Sequence, residues 1–210
     1  PQDIKALNTL FAEYEAVQAQ HLDMPSVQLQ LANYWLARGL PEKAEAALRE
    51  ALRINPQLEA AVVNLADLLR AMGREEEARE LLLAGISVSP APGTLYHTLG
   101  LLEIRQGRTQ AAMAALSEAA QRETDGSRHR FVYAIALHDT GNPGDAITLL
   151  EKLNRARPGN PETLSALVNY SRELGDAGKD GRYRGQLQGV LQAAGLRERF
   201  RAGPDGLSDA

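Results

Sequence analysis

The chain of 210 residues contains no cysteine. That excludes disulfides, thiolate metal sites and cysteine nucleophiles, while leaving the compartment, cytoplasm or bacterial periplasm, open. Aromatic residues are scarce at 5%, with a single tryptophan. Long alternations of Val, Ile and Thr, the mark of strands, are missing. No apolar run approaches the roughly 18 residues needed to cross a bilayer, so membrane insertion by this segment is not expected. Neither charge sign dominates: 23 basic and 27 acidic side chains are interspersed, for a formal charge of −4. Nucleic-acid binders carry a basic stripe because neutralising phosphates drives their affinity, and no such stripe is visible here.

Catalytic patterns are missing too. The four histidines, His21, His97, His129 and His138, make no HExxH pair. His97 and His138 together fall short of the ligands that a closed metal site wants. No Ser-His-Asp order, inward carboxylate pair or GxxxxGK loop emerges. The run GREEEARE, Gly73 to Glu80, reads as a solvated helix face. An enzyme, a metal site and a cofactor are therefore not expected.

What is present is apolar and helical. Hydrophobic residues make up 44% of the chain, mostly Leu and Ala, which suffices for a folded core and favours helices. The expected fold class is all-α. Glycines recur every 34 residues, at Gly39, Gly73, Gly107, Gly141 and Gly175. Five residues after the first four stand Ala44, Ala78, Ala112 and Ala146; nine after stand Leu48, Leu82, Leu116 and Leu150. Seventeen after stand Pro56, Pro90, Thr124 and Pro158.

Each element has a mechanical job. Glycine takes the left-handed conformation that ends a helix. Pro41 and Pro143 start the next helix, with Asn142 and Thr109 as expected N-caps. Glu42, Glu75, Glu76 and Asp145 suit the positive end of the helix dipole. Alanine admits a close helix approach, leucine fills the space between pairs, and proline closes the unit. A hairpin that is apolar on two sides must stack on its neighbours.

This pattern resembles the tetratricopeptide repeat family. Residues 25–58, 59–92, 93–126 and 127–160 fit as four repeats. LYHTLGLLEIRQG carries the opening residues Tyr96, Leu99 and Gly100, and the second repeat has Val62, Leu65, Ala66 and Leu69 at the same places. Gly85 in place of alanine and Thr124 in place of proline suggest local looseness. Residues 161–200 read as a degenerate fifth repeat or C-terminal cap: a first helix over 161–175, a turn lengthened by GDAGKDG, then RYRGQLQGVLQAA. Residues 201–210 are an expected flexible tail. Residues 1–24, with Ile4, Leu7, Phe11, Tyr14 and Val17 on one face, are an expected helix, a half-repeat or a linker. Pro1 at the start and a first methionine at Met24 suggest a fragment or a processed product.

The resemblance implies a right-handed α-solenoid of about eleven helices whose first helices line a groove for a protein or peptide partner. It places Leu29, Asn33, Val63, Asn64, Asp67, Arg70, His97, Leu101, Ile104, Arg105, Phe131, Ile135, His138, Ser165, Asn169 and Arg172 on that wall. Asn amides can both donate to and accept from a peptide backbone, Leu101, Phe131 and Ile135 offer apolar contact, and Arg70, Arg105 and Arg172 can pair with carboxylates. Phe131 and Ile135 suit the core equally well. One subclass of the family grips a C-terminal carboxylate with two Asn and three basic residues. Here Asn33 and Asn64 match, but Leu29, Thr94 and Thr98 stand at the basic positions, so an acidic tail is disfavoured. Charge reversal of Arg70 and Arg105 is expected to weaken a partner, while changes at Glu76 and Arg79 are not. Two alternatives accompany this reading. NLADLLRAMGREEEARELL and FVYAIALHDTGNPGDAITLLE also resemble repeats at the C-terminal end of bacterial multihaem cytochrome-like proteins, implying a docking or assembly arm of an exported redox protein. Self-association through exposed end helices is the other.

Overall fold

The computed structural model describes residues 23–122, 128–193 and 195. Ten α-helices and no strand occur among them. The helix expected around Ile4 to Val17, the closing Thr124 and the 201–210 tail lie outside the described residues. The chain divides into two compact units, Pro1–Arg108 and Thr109–Ala210. Unit 1 holds α1 (Pro25–Ala37), α2 (Pro41–Ile54), α3 (Glu59–Ala71), α4 (Glu75–Val88) and α5 (Gly93–Arg105). Unit 2 holds α6 (Thr109–Arg122), α7 (Arg128–Asp139), α8 (Pro143–Ala156), α9 (Pro161–Glu173) and α10 (Ala177–Ala193). The division falls inside the stretch 93–126 expected as one repeat.

The recurrent turn follows from its glycine. Gly73 has φ of +77°, a region that costs any residue with a Cβ. That geometry lets the N–H of Arg74 donate back to the Leu69 carbonyl at 2.8 Å and the Gly73 N–H to Arg70 at 3.0 Å. Two orphan carbonyls at the helix end are thereby satisfied. Gly39, Gly107, Gly141 and Gly175 repeat the conformation. Pro41 and Pro143 open α2 and α8 as expected, and Pro25 and Pro161 do the same for α1 and α9.

Between turns, small and large side chains divide the packing. Ala44, Ala78, Ala112 and Ala146 are buried, and so are Leu48, Leu82, Leu116 and Leu150. In unit 1, α2 packs on α1 and α3, and α4 on α3 and α5. In unit 2, α8 packs on α7 and α9, and α10 on α9. Its core gathers Ile147, Leu150, Leu164, Leu167, Tyr183 and Leu187. Each fully buried leucine contributes about 1.5–3 kcal/mol of transfer free energy. Stacking therefore supplies what an isolated hairpin lacks.

Three expectations are corrected. Gly85 is tight rather than loose: a Cβ added there would lie 2.9 Å from Val62 Cγ1 and 3.2 Å from Leu95 Cδ1. The smallest residue stands where α4 meets two branched neighbours. GDAGKDG does not lengthen the turn, because α10 already starts at Ala177. The Asp176 carboxylate accepts from the Lys179 N–H at 2.9 Å and starts the helix two residues past the glycine. Asn142 occupies an N-cap position without capping; its amide donates to the Thr140 carbonyl at 3.3 Å instead. Thr109 is the first residue of α6 rather than the residue before it. Asn160 does cap its helix, α9: its Oδ1 accepts from the Thr163 N–H at 2.8 Å, as the Asp176 carboxylate does for α10.

Candidate partner-docking faces

In unit 1 the first helices of the pairs are α1, α3 and α5, and α3 packs directly on α5. Three large apolar side chains on them remain in water: Leu36 at 41% exposure, Leu101 at 40% and Ile104 at 48%. Leu36 and Ile104 are separated by two periods of 34, with Arg70 midway. Asn33, Asp67 and Leu101 form a second row at the same period, and all three are exposed. Leu36 was not among the residues the sequence singled out, although the register that selects Arg70 and Ile104 also selects it.

The polar groups on this face are weakly committed. Arg70 lies 3.4 Å from Asp67, a long contact for an ion pair one helical turn apart. Arg105 is exposed, and its side chain makes no hydrogen bond or ion pair among the described residues. Asn33 is exposed and Asn64 half-buried, and neither amide is engaged among the described residues. Leu29 and Val63 are half-buried. His97 is the exception. At 8% exposure it is buried, together with Gly93 and Gly100, four residues before it and three after, on the same side of α5.

In unit 2 the first helices are α7 and α9, which also touch. Phe131 and Ile135 are half-buried and pack against the unit 2 core, so they serve the interior while showing an edge. Phe131 also borders an open cleft of about 410 Å³ with Arg128, Val132, Asn160, Glu162 and Thr163. Ser165 is half-buried; Asn169 and Arg172 are exposed. Arg172 reaches within 3.7 Å of Asp180. His138 is engaged: its ring lies parallel to Tyr170 with centroids 3.6 Å apart, and Nε2 is 2.6 Å from Glu173 Oε2.

An ion-pair network links the second helices of unit 1 to the turns and to α5. Glu103 of α5 is 1% exposed and accepts from Arg79 Nε at 2.7 Å and from Arg108 Nε. Burial alone would raise its pKa, but the hydrogen bonds from Arg108 and Arg79 outweigh burial and hold it below the usual carboxylate range. Arg108 also reaches Glu76 at 2.8 Å. One period earlier, Arg74 joins Glu45 and Glu77, each at 2.6 Å, and Arg49 joins the same two carboxylates. Glu76 and Arg79, expected to be neutral for partner binding, thus take part in ion pairs between elements of unit 1. No sequence pattern marked Glu103, which occupies the register of Trp35, Leu69 and Leu137. Among the described residues no group of three His, Cys, Asp or Glu could hold a metal ion, and no helix is long and apolar enough to cross a membrane.

The family model described as tetratricopeptide repeat matches residues 35–99 and 103–169, more than half of the chain. Protein FlbA of Caulobacter vibrioides is 29% identical over 159 residues, which cover 76% of this chain and 26% of FlbA. The chain thus spans about a quarter of that relative's length. PilW, a widely conserved type IV pilus biogenesis factor, matches with a TM-score of 0.67 at 20% identity, over 89% of this chain and 90% of PilW. YrrB, described as a tetratricopeptide repeat protein with an unusual peptide-binding site, matches with a TM-score of 0.62 at 14% identity, over 90% and 97%. At these identities the two structures speak for the fold alone.

Proposed function

We propose, from the premise that the chain belongs to the tetratricopeptide repeat family, that it is a non-enzymatic scaffold docking a peptide segment or helix of another protein. The docking surface is the first-helix face of each unit. One observation carries the reading: Leu36, Leu101 and Ile104 stand exposed at repeat-spaced positions, with Asp67 and Arg70 between them. Apolar anchors ringed by polar groups suit an amphipathic or extended segment, which buries its own apolar side chains against them. The unengaged amides of Asn33 and Asn64 and the guanidinium of Arg105 can fix its orientation.

The test compares two exposed apolar sites in unit 1. Leu101→Asp with Ile104→Asp should abolish recovery of a partner captured by the wild-type chain. Leu83→Asp on α4, where the leucine is 41% exposed, should leave that recovery intact. Circular dichroism confirms that each variant folds. Equal loss from both would remove the first-helix face as the docking site.

A further inference from the structure

We infer that His138 is a proton-operated clasp between α7 and α9, holding the first-helix face of unit 2 closed when the imidazole is charged. The argument starts from donors and acceptors. Nε2 faces the Glu173 carboxylate at 2.6 Å and Nδ1 faces the Asp139 carboxylate at 3.2 Å. A neutral imidazole has one donor and one acceptor nitrogen, whereas an ionised carboxylate only accepts. Both contacts are hydrogen bonds only in the imidazolium. The ring also lies flat on Tyr170, 4° from parallel, so a charged ring meets the tyrosine π-face. His138 sits in the last turn of α7, where the helix dipole favours a cation. Three features, the paired carboxylates, the tyrosine face and the helix end, thus prefer the same protonation state.

The surroundings leave His138 as the group that switches. Glu173 and Tyr170 face it from α9 and Asp139 from its own helix. Among the described residues, α6 and α8, which also pack on α7, place no charged group that acts on the ring. Burial works against the charge, but the hydrogen bonds to Asp139 and Glu173 outweigh it and raise the His138 pKa. Burial pushes the Tyr170 hydroxyl up to about 12, so it stays neutral throughout. A raised folded-state pKa fixes the sign. The clasp is fully formed below the ordinary histidine value of about 6.5, and is lost as pH rises through the folded value. Glu173 is 57% exposed, so salt should weaken the effect.

The test is an NMR titration of the imidazole signals of the full chain, with His138 assigned through His138→Gln. The His138 midpoint should lie above that of an ordinary histidine, and Glu173→Gln should move it down. Amide exchange in the last turn of α9, corrected for its intrinsic pH dependence, should be several-fold slower at pH 6 than at pH 8. That difference should vanish in His138→Gln. A His138 midpoint at or below the ordinary value overturns the clasp, as does a midpoint indifferent to Glu173→Gln. An exchange difference that survives in His138→Gln also overturns it. None of these readouts involves a partner, so the result stands apart from the docking proposal.

Discussion

The two units solve the same joint with different chemistry. At two of the three glycine turns of unit 1 the residue after the glycine is an arginine, Arg74 or Arg108, long enough to reach carboxylates on other helices; after Gly39 it is Leu40. In unit 2 it is Asn142 or Asp176, whose short side chains bond within the turn itself. Unit 2 ties its helices together away from the turns: Lys179 pairs with Glu151 at 3.0 Å, Tyr183 donates to the same carboxylate at 2.8 Å, and His138 reaches Glu173. One backbone solution therefore tolerates two side-chain solutions. Two of these groups, Glu103 and His138, respond to pH in opposite senses. The depressed pKa of Glu103 gives a contribution present above the ordinary carboxylate range and lost as pH falls through the folded value. The raised pKa of His138 gives one that is lost as pH rises. Acid removes the Glu103 contribution in unit 1 and the like contribution of Glu151 in unit 2, whereas base removes that of His138.

The largest test of this contrast removes one carboxylate from each unit. Glu103→Ala removes a buried carboxylate that two partly exposed guanidiniums share and should cost about 1–3 kcal/mol, read by chemical denaturation. Glu173→Ala removes an exposed partner and should cost under about 1 kcal/mol. Equal losses would erase the distinction. Glycines sharpen it further. Gly85→Ala drives a methyl into Val62 and should destabilise unit 1 by about 1 kcal/mol after its gain in helix propensity. Gly185→Ala, in open space within α10, should raise stability by about 0.5–1 kcal/mol, visible as a higher melting temperature. The smallest effect separates two asparagines inside unit 2. Asn160→Ala loses a cap and about 1 kcal/mol, whereas Asn142→Ala should change stability by only a few tenths.

Much of the fold was legible because it is periodic. A glycine every 34 residues specifies the turn, and the alanine and leucine that follow specify what each helix buries. These are local demands of backbone and volume, repeated until coincidence fails as an explanation. The exceptions were harder to read because they depend on neighbours far along the chain. Gly85 looks like a lapse until Val62 and Leu95 are beside it. Glu103 looks like a surface residue until Arg79 and Arg108 close over it. Its only trace is a charged residue in an apolar register, and the sequence does not say which arginines answer it. On the candidate faces, spacing selected the exposed Leu101, Ile104 and Arg105 but also the buried His97. Helical register fixes direction only to within a fraction of a turn, and α5 turns His97 toward its interior. Partner contacts leave a fainter trace still, because an exposed leucine and a buried one are the same letter.

Glu103 also bears on how such a chain avoids joining its parts in the wrong order. Near-identical hairpins offer one another near-identical oily surfaces, so shape alone scarcely distinguishes the neighbour from the next one along. Its guanidinium partner Arg79 has, one period earlier, Glu45 as its counterpart. Docked there, α5 would bring Glu103 to a carboxylate in place of Arg79 and lose that bond. A single acidic side chain thus distinguishes the mating surface of α4 from that of its counterpart one repeat back.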